Sequence, residues 1–399
     1  MDLRALGQAF INLLENWGLP HGWVLFINWL LGAVILLAIA LLLAIFLIWF
    51  ERKVAGRVQD RLGPNRVGPY GLIQPFADAL KLLTKEDITP DKADRLTYNL
   101  APIIAVFHII MLFAVIPFAD EVVGANISVG LLYLLAFGAL GTMAMLMAGW
   151  ASRNKYSLLG GFRVVAQLLS YEIPVGLAML IVVLLSGTMN LNSIAQHQGG
   201  VFGLGWYVFV LPAVFILYFV AALAEGERAP FDLLEAESEI VAGYNIEYSA
   251  MKFAWFYLAF FLNTWVLSAV AVTLFFGGWQ GPGAAQYPIL GVIYFFIKVF
   301  IMFFVFAWVR ATFPRLRIDQ MMSFCWKVLV PMGLALFLGV AVIVKVGQLQ
   351  GLPSVAVNGA LFVLNIVVLF VTLKLLGHYT DDLSRTKNKR LFAPELPRL

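Results

Sequence analysis

The chain has 399 residues, 62% hydrophobic and 13% charged, with a formal net charge of +4 and a mean hydropathy of +0.89. A soluble domain averages roughly 45–50% apolar and about 25% charged, so this is an integral membrane protein and its length is no guide to domain number. One cysteine, Cys325, and four histidines, His21, His108, His197 and His378, exclude an intrachain disulfide and, from this chain alone, a structural zinc site or an iron–sulfur cluster, each of which takes about four ligands.

A helix needs about 20 apolar residues to cross the bilayer core. Nine runs qualify: 24–50, 100–118, 129–151, 164–186, 205–223, 253–276, 289–308, 328–346 and 355–376. The first is long and no small-residue cleavage site follows it, so it reads as a retained span. Spans are helices or closed barrels because lipid offers the backbone no partner, and runs this long and unalternating predict helices. The expected architecture is all-α: one polytopic membrane domain over 1–399, with about nine spans and an interfacial amphipathic helix.

The loops alternate in charge. Residues 51–95 hold nine Lys/Arg, later loops add Arg153, Lys155, Arg163, Arg228, Lys252, Arg310, Arg315, Arg317 and Lys327, and the tail adds Arg385, Lys387, Lys389, Arg390 and Arg398. The opposite connections, 119–128, 187–204, 277–288 and 347–354, hold none. The positive-inside rule then places loops 51–99, 152–163, 224–252 and 309–327 and the C-terminus in the cytoplasm, with the N-terminus outside.

After the first span, ERKVAGRVQDRLGPNRVGPYG is rich in the glycine and proline of turns. GLIQPFADALKLLTKED then spaces Leu72, Ile73, Phe76, Leu80 and Leu83 as one helix face, with Asp78, Lys81 and Lys85 elsewhere. That pattern fits a helix in the interface plane. It reads either as an ordinary juxtamembrane helix against lipid phosphates or as the wall of a portal for a lipid-soluble substrate. Further on, AEGERAPFDLLEAESE sets Glu225, Glu227, Asp232, Glu235, Glu237 and Glu239 around Arg228. Were it helical, the charges would form a continuous row, which Pro230 would break. A solvated loop is the bland alternative. Against it, Phe231, Leu233, Leu234, Ile240 and Val241 alternate with the acids, as in a segment packed against something. Arg310, Arg315 and Arg317 on the next cytoplasmic loop read as topogenic charge or as partners for those acids.

Two charges inside spans stand out. Glu172 is nine residues past Arg163, about 13 Å into the membrane, and Lys298 is twelve before Arg310, about 18 Å deep. Each costs about 2.5–3.5 kcal/mol or more to insert, which points to a functional site or, alternatively, a structural ion pair. His108 carries less signal, and the tryptophans flanking spans are the ordinary interfacial belt.

Together, ERKVAGRVQDRLGPNRVGPYGLIQPFADALKLLTKED, GWASRNKYSLLGGFR, SYEIP, ERAPFDLLEAESEIVAGYNIEYS and WVRATFPRLRIDQ resemble one family: the H-type membrane subunit of the proton-translocating NADH:quinone oxidoreductase, respiratory complex I, whose mitochondrial counterpart is NADH dehydrogenase subunit 1. The resemblance runs from about residue 24 to 330. It implies a component of the bacterial inner membrane that binds the redox arm and the membrane arm, forms much of the quinone chamber and begins the proton-coupling path. Quinone is the implied substrate, with FMN and iron–sulfur clusters in partner subunits. The resemblance puts Glu51, Arg52, Arg61 and Asp78 near the quinone portal, and Arg310, Arg315 and Arg317 on the family's basic loop. Glu225, Arg228, Asp232, Glu235, Glu237 and Glu239 fall on the acidic loop and Glu172 on the intramembrane glutamate, with Lys298 a further coupling candidate. Ala139 and Phe260 stand where some members carry glutamates, Glu227 is an added acid, and the ninth span and basic tail are not universal. A related energy-converting hydrogenase component, or a stand-alone secondary transporter, remains as an alternative.

Overall fold

The computed structural model describes residues 11–16, 20–120, 122–199, 205–232, 237–284 and 286–391, with 237–238 and 378–391 described by backbone alone. Among these residues the regular structure is helical throughout. In chain order it comprises α1 (His21–Val58), α2 (Gln74–Thr84), α3 (Arg95–Val115), α4 (Gly130–Ala151), α5 (Lys155–Ser186), α6 (Leu191–His197), α7 (Pro212–Glu225) and α8 (Ala250–Phe275). There follow α9 (Pro288–Thr312), α10 (Ile318–Phe324), α11 (Val330–Gln350) and α12 (Ser354–Leu391). Eight described helical stretches are long and apolar enough to cross a membrane.

Helix α1 runs on where the sequence suggested turns: ERKVAGRV stays helical to Val58. Gly56 permits this, because a Cβ there would meet Gly63 N at 2.8 Å and Arg61 O at 2.9 Å in the returning loop. The helix therefore carries Glu51 and Arg52 on its rigid inner end. Helix α2 is the expected amphipathic element, and its apolar residues Phe76, Leu80 and Leu83 point outward and are exposed, as an interfacial helix in lipid requires. The expected loop 152–163 contracts to a turn, since Asn154 caps α5 by accepting from Tyr156 N at 3.0 Å.

Where the fifth span is expected the chain is broken. A single turn, Tyr207–Val210, is followed by α7, which has 14 residues and is about 21 Å long, short of the roughly 30 Å core. Pro212 opens α7 and cannot continue the preceding turn, and Leu211 between them is non-helical. Helix α8 is the central pillar, 83% buried over its apolar window. Its Trp265 stacks on Phe113 of α3 with ring centroids 4.9 Å apart.

Prolines inside helices free carbonyls that lipid cannot satisfy. Pro102 frees the Tyr98 carbonyl, and the Tyr248 hydroxyl donates to it at 3.1 Å. The two tyrosine rings stack at 4.2 Å, and Tyr98 in turn donates to the Glu247 carbonyl at 2.6 Å. Pro174 frees the Ser170 carbonyl, two residues before Glu172, and the Cys325 thiol contacts it at 3.1 Å from a π-turn, Cys325–Leu329. Replacing Tyr248 by Phe keeps the stack and strands the Tyr98 carbonyl, at a cost of about 1–3 kcal/mol. A lowered thermal midpoint of the purified assembly, with the helical signal unchanged before melting, is the expected outcome.

Candidate functional site

Two adjoining cavities lie where α1, α2 and α8 meet. The larger, about 940 Å³, is apolar, walled by Leu41, Ile45, Ile48, Leu82, Trp255 and Leu258 among others, with Arg52 and Asp78 at one end. The second, about 530 Å³, is polar and lined by Glu51, Arg52, Arg61, Tyr257, Phe261 and Arg310. Arg52, Pro64 and Tyr257 border both. The pair suits an amphiphile with a long apolar tail and a compact polar head.

At the threshold, Arg52 Nη1 donates to Asp78 Oδ2 at 2.7 Å and pins α2 to α1. Partial burial raises the Asp78 carboxyl, but the Arg52 guanidinium, the Gln74 amide and the Lys81 ammonium outweigh it and hold the group below its ordinary 3.8. A folded pKa lowered in this way makes the tether fully present above 3.8 and lost only as pH falls through the depressed value. It therefore holds throughout the physiological range.

The floor of the polar cavity is Glu51, 4% exposed, which accepts from two guanidinia. Arg228 Nη1 donates at 2.5 Å and Arg310 Nη1 also donates to Oε1. Arg228 is itself 1% exposed. Its Nε donates to Thr264 Oγ1 at 2.9 Å, and its guanidinium lies 4.2 Å over the Phe260 ring. Phe260 is thus the platform for this arginine.

The acidic segment is not one helix. It turns at Gly226, Glu227 takes φ 56°, and the Gln167 amide clamps it by donating to the Ala224 carbonyl at 2.8 Å and the Phe231 carbonyl at 2.9 Å. The expected charge row is consequently split. Glu225 and Glu227 face inward with Glu172, His108, Thr142 and Asn263 around a cavity of about 30 Å³, space for roughly one or two waters. Glycines make this pocket: a Cβ at Gly141 would meet His108 Nε2 at 2.7 Å, and one at Gly138 would lie 3.8 Å from Glu225 Oε1. Glu225 Oε2 is buried with no hydrogen-bond partner among the described residues.

Of the other expected site residues, Glu239 pairs with Arg163 at 2.6 Å. Arg315 reaches the Asp232 carbonyl at 3.5 Å, and Arg317 opens α10 as its N-cap. The basic loop therefore meets the acidic one partly as expected, through Arg315 and a Leu316 N–H to Pro230 O bond of 2.9 Å, whereas Arg310 turns to Glu51. Phe231 and Ile240 are buried, as a packed segment requires. Leu233, Leu234 and Glu235 lie outside the described residues, as does the Glu237 side chain. Lys298 is not in this group. Its ammonium donates to the Phe276, Gly278 and Gln280 carbonyls at 2.9, 3.0 and 2.7 Å and lies 4.7 Å from the Trp206 ring, capping the C-terminal end of α8. All three of its protons are used. Gln167, Thr264, Asn263 and Tyr257 escaped the sequence reading; the signal for Gln167 was an amide in an otherwise apolar run.

The NADH dehydrogenase family matches residues 31–341. The chain is 50% identical over 288 residues to the H subunit of the NADH-quinone oxidoreductase of Dehalococcoides mccartyi, covering 72% of this chain and 79% of that one. It is 49% identical over 298 residues to the protein of the same name from Protochlamydia amoebophila, covering 72% and 89%. To that of Bacteroides thetaiotaomicron it is 46% identical over 355 residues, covering 84% and 98%.

Arg228→Met would leave Glu51 with one cation and empty the Phe260 platform. Removing one partner of a buried pair costs about 3–5 kcal/mol, so a sharp loss of thermal stability is expected, while Arg315→Met, at an exposed contact, should change it by less than about 1 kcal/mol. Differential scanning of the two purified variants checks the contrast.

Proposed function

This chain belongs to the NADH dehydrogenase family, and from that premise we propose that it is the H-type membrane subunit of a bacterial NADH-quinone oxidoreductase. In this reading it forms the quinone chamber and links quinone reduction to proton translocation. The observation that carries the reading is the pair of adjoining cavities: an apolar cleft beside the amphipathic helix α2 and, sharing Arg52, Pro64 and Tyr257 with it, a second cavity lined by Glu51, Arg52, Arg61 and Arg310. A quinone's prenyl tail matches the first and its oxygens the second. Electrons come from partner subunits that carry FMN and iron–sulfur clusters, and this chain supplies the cavity and charged groups that respond as the reduced quinone takes up protons.

The acids have distinct parts. Glu51 is held between Arg228 and Arg310, so negative charge arriving in the polar cavity competes with it for both guanidinia. Arg228 is three residues from Glu225 on the same tight turn, and Glu225 shares the small cavity with Glu172 and Glu227. A change in charge at the head of the quinone is thereby passed to carboxyls that exchange protons. With Ala139 and Phe260 in place of acids, the path relies on Glu172, Glu225, Glu227 and the water space beside His108. Lys298, three-fold bonded at the other end of α8, has the part of a structural cap in this scheme rather than the coupling part its depth suggested.

The alternation of basic loops supports nine crossings, the broken α7 region included, with the N-terminus outside and the C-terminus in the cytoplasm. A reporter fused after Leu399 and active only outside the cytoplasm would overturn that orientation. Co-purification with flavin and iron–sulfur subunits is expected, whereas a transporter would purify and work alone. Glu172→Gln keeps shape and removes charge, so quinone reduction and pumping are expected to fall together, by about tenfold or more, in a complex that still assembles. Full pumping by the assembled variant in membrane vesicles would refute the coupling role.

A further inference from the structure

Helix α12 (Ser354–Leu391) begins beyond residue 341, where the family match ends, and most of its side chains over residues 354–377 face outward, with Val363, Val367 and Phe370 exposed. Asn365 is the exception in kind. It is fully buried, at 0% exposure, and its amide is committed at both ends: Nδ2 donates to its own helix at Leu361 O, 2.9 Å away, and Oδ1 accepts from the Val214 N–H at 3.3 Å.

Val214 is the third residue of α7, which starts afresh at Pro212 after the break at Leu211 and has no side-chain cap of its own. The first N–H groups of a helix have no partner within it, and at membrane depth water is not there to replace one. Asn365 thus does from a distant helix what an N-cap residue does from the same one. Its seat is tight, because α12 packs on glycines of α11. A Cβ at Gly339 would meet Leu364 Cδ2 at 2.7 Å, and one at Gly347 would meet Val357 Cγ2 at 2.7 Å. The far end of α7 is Glu225, about 20 Å away along one uninterrupted helix, and Gln167 fixes the turn that follows.

We infer that Asn365 is a positioning residue for Glu225: by holding the Val214 N–H, α12 sets how far α7 slides along its axis and hence where Glu225 stands in the cavity it shares with Glu172. The inference rests on the proposed coupling role of Glu225. It also gives the ninth span a task that no other described side chain performs at this helix end, and it places that task away from the quinone cleft, which α1, α2 and α8 wall.

The test uses the intact complex in proteoliposomes with a short-chain quinone, comparing Asn365→Leu, Asn365→Ser, Asn365→Asp and Glu225→Gln. Leu offers no acceptor, and Ser, whose hydroxyl bonds its own helix, is too short to reach Val214. Asp keeps the acceptor oxygen beside a positive helix end. In Asn365→Leu and Asn365→Ser, kcat and pumping are expected to fall roughly threefold or more with KM for quinone unchanged, and Asn365→Asp is expected to restore both. Unchanged turnover in Asn365→Leu and Asn365→Ser, or no rescue by Asp, would overturn the inference. Failure of both the leucine and the serine variant to assemble would do so too, since the bond would then be a folding requirement only. Should Glu225→Gln itself pump normally, the coupling reading fails. Should it be impaired while Asn365→Leu is not, only the positioning role fails.

Discussion

Glu51 with its two arginines is the contact on which the rest depends. A carboxylate 4% exposed in a membrane protein is held there only by compensation, since the effective penalty for removing an ion from water is several kcal/mol. The compensation comes from Arg228 on the acidic segment and Arg310 at the inner end of α9. Three parts of the chain far apart in sequence are thereby brought to one point. The net stability of such an arrangement is small, because desolvation offsets attraction, but withdrawing the Glu51 carboxylate would take the shared acceptor from two guanidinia at once. That is a property suited to a place where an incoming ligand must be felt.

Around this point polarity is sorted by depth. The charged side chains that line the apolar cleft are Arg52, Asp78 and Lys81, and the Arg52–Asp78 pair holds α2 to α1. The polar cavity follows, then Glu51, then Arg228, and then the pocket of Glu172, Glu225 and Glu227. Phe260 and Phe261 give Arg228 aromatic faces at 4.2 and 4.9 Å, so the guanidinium is bound on its flat sides as well as at its edges. An acid at position 260 would pair with Arg228 directly and weaken its hold on Glu51. A phenylalanine leaves the arginine committed to Glu51 and Thr264.

Fold class was legible in the sequence because burial in lipid writes itself as long apolar runs. The amphipathic helix was legible from its spacing, and the motifs singled out Glu51, Arg52, Arg61, Asp78 and Arg310, which line the two cavities. Three things were not. Continuation of α1 through ERKVAGRV depends on Gly56 receiving a loop that returns at Arg61–Gly63, a tertiary contact with no local signature. The break before α7 was hidden because Pro212 sits in an apolar run whose composition reads as a span. The depth of Lys298 suggests a coupling charge, whereas its partners are backbone carbonyls, which sequence does not announce. Gln167 and Thr264, which hold the acidic turn and Arg228, are ordinary polar residues made important only by what faces them.

A common rule joins these elements. Prolines, breaks and ends in helices free backbone groups where lipid has nothing to offer, and among the described residues four such sites are answered by a side chain distant in sequence. Tyr248 answers the carbonyl freed by Pro102, Cys325 the one freed by Pro174, Asn365 the N–H at the start of α7, and Lys298 the carbonyls beyond the end of α8. Pro174 lies two residues from Glu172, and α7 ends at Glu225, so two of the four corrections bear on helices that carry the pocket acids. Glu172 on the proline-containing α5 and Glu225 at the end of the short α7 line one small cavity. The remote caps make such geometry tolerable in a bilayer, and they make the placement of the acids a property of the whole bundle rather than of the segments that bear them.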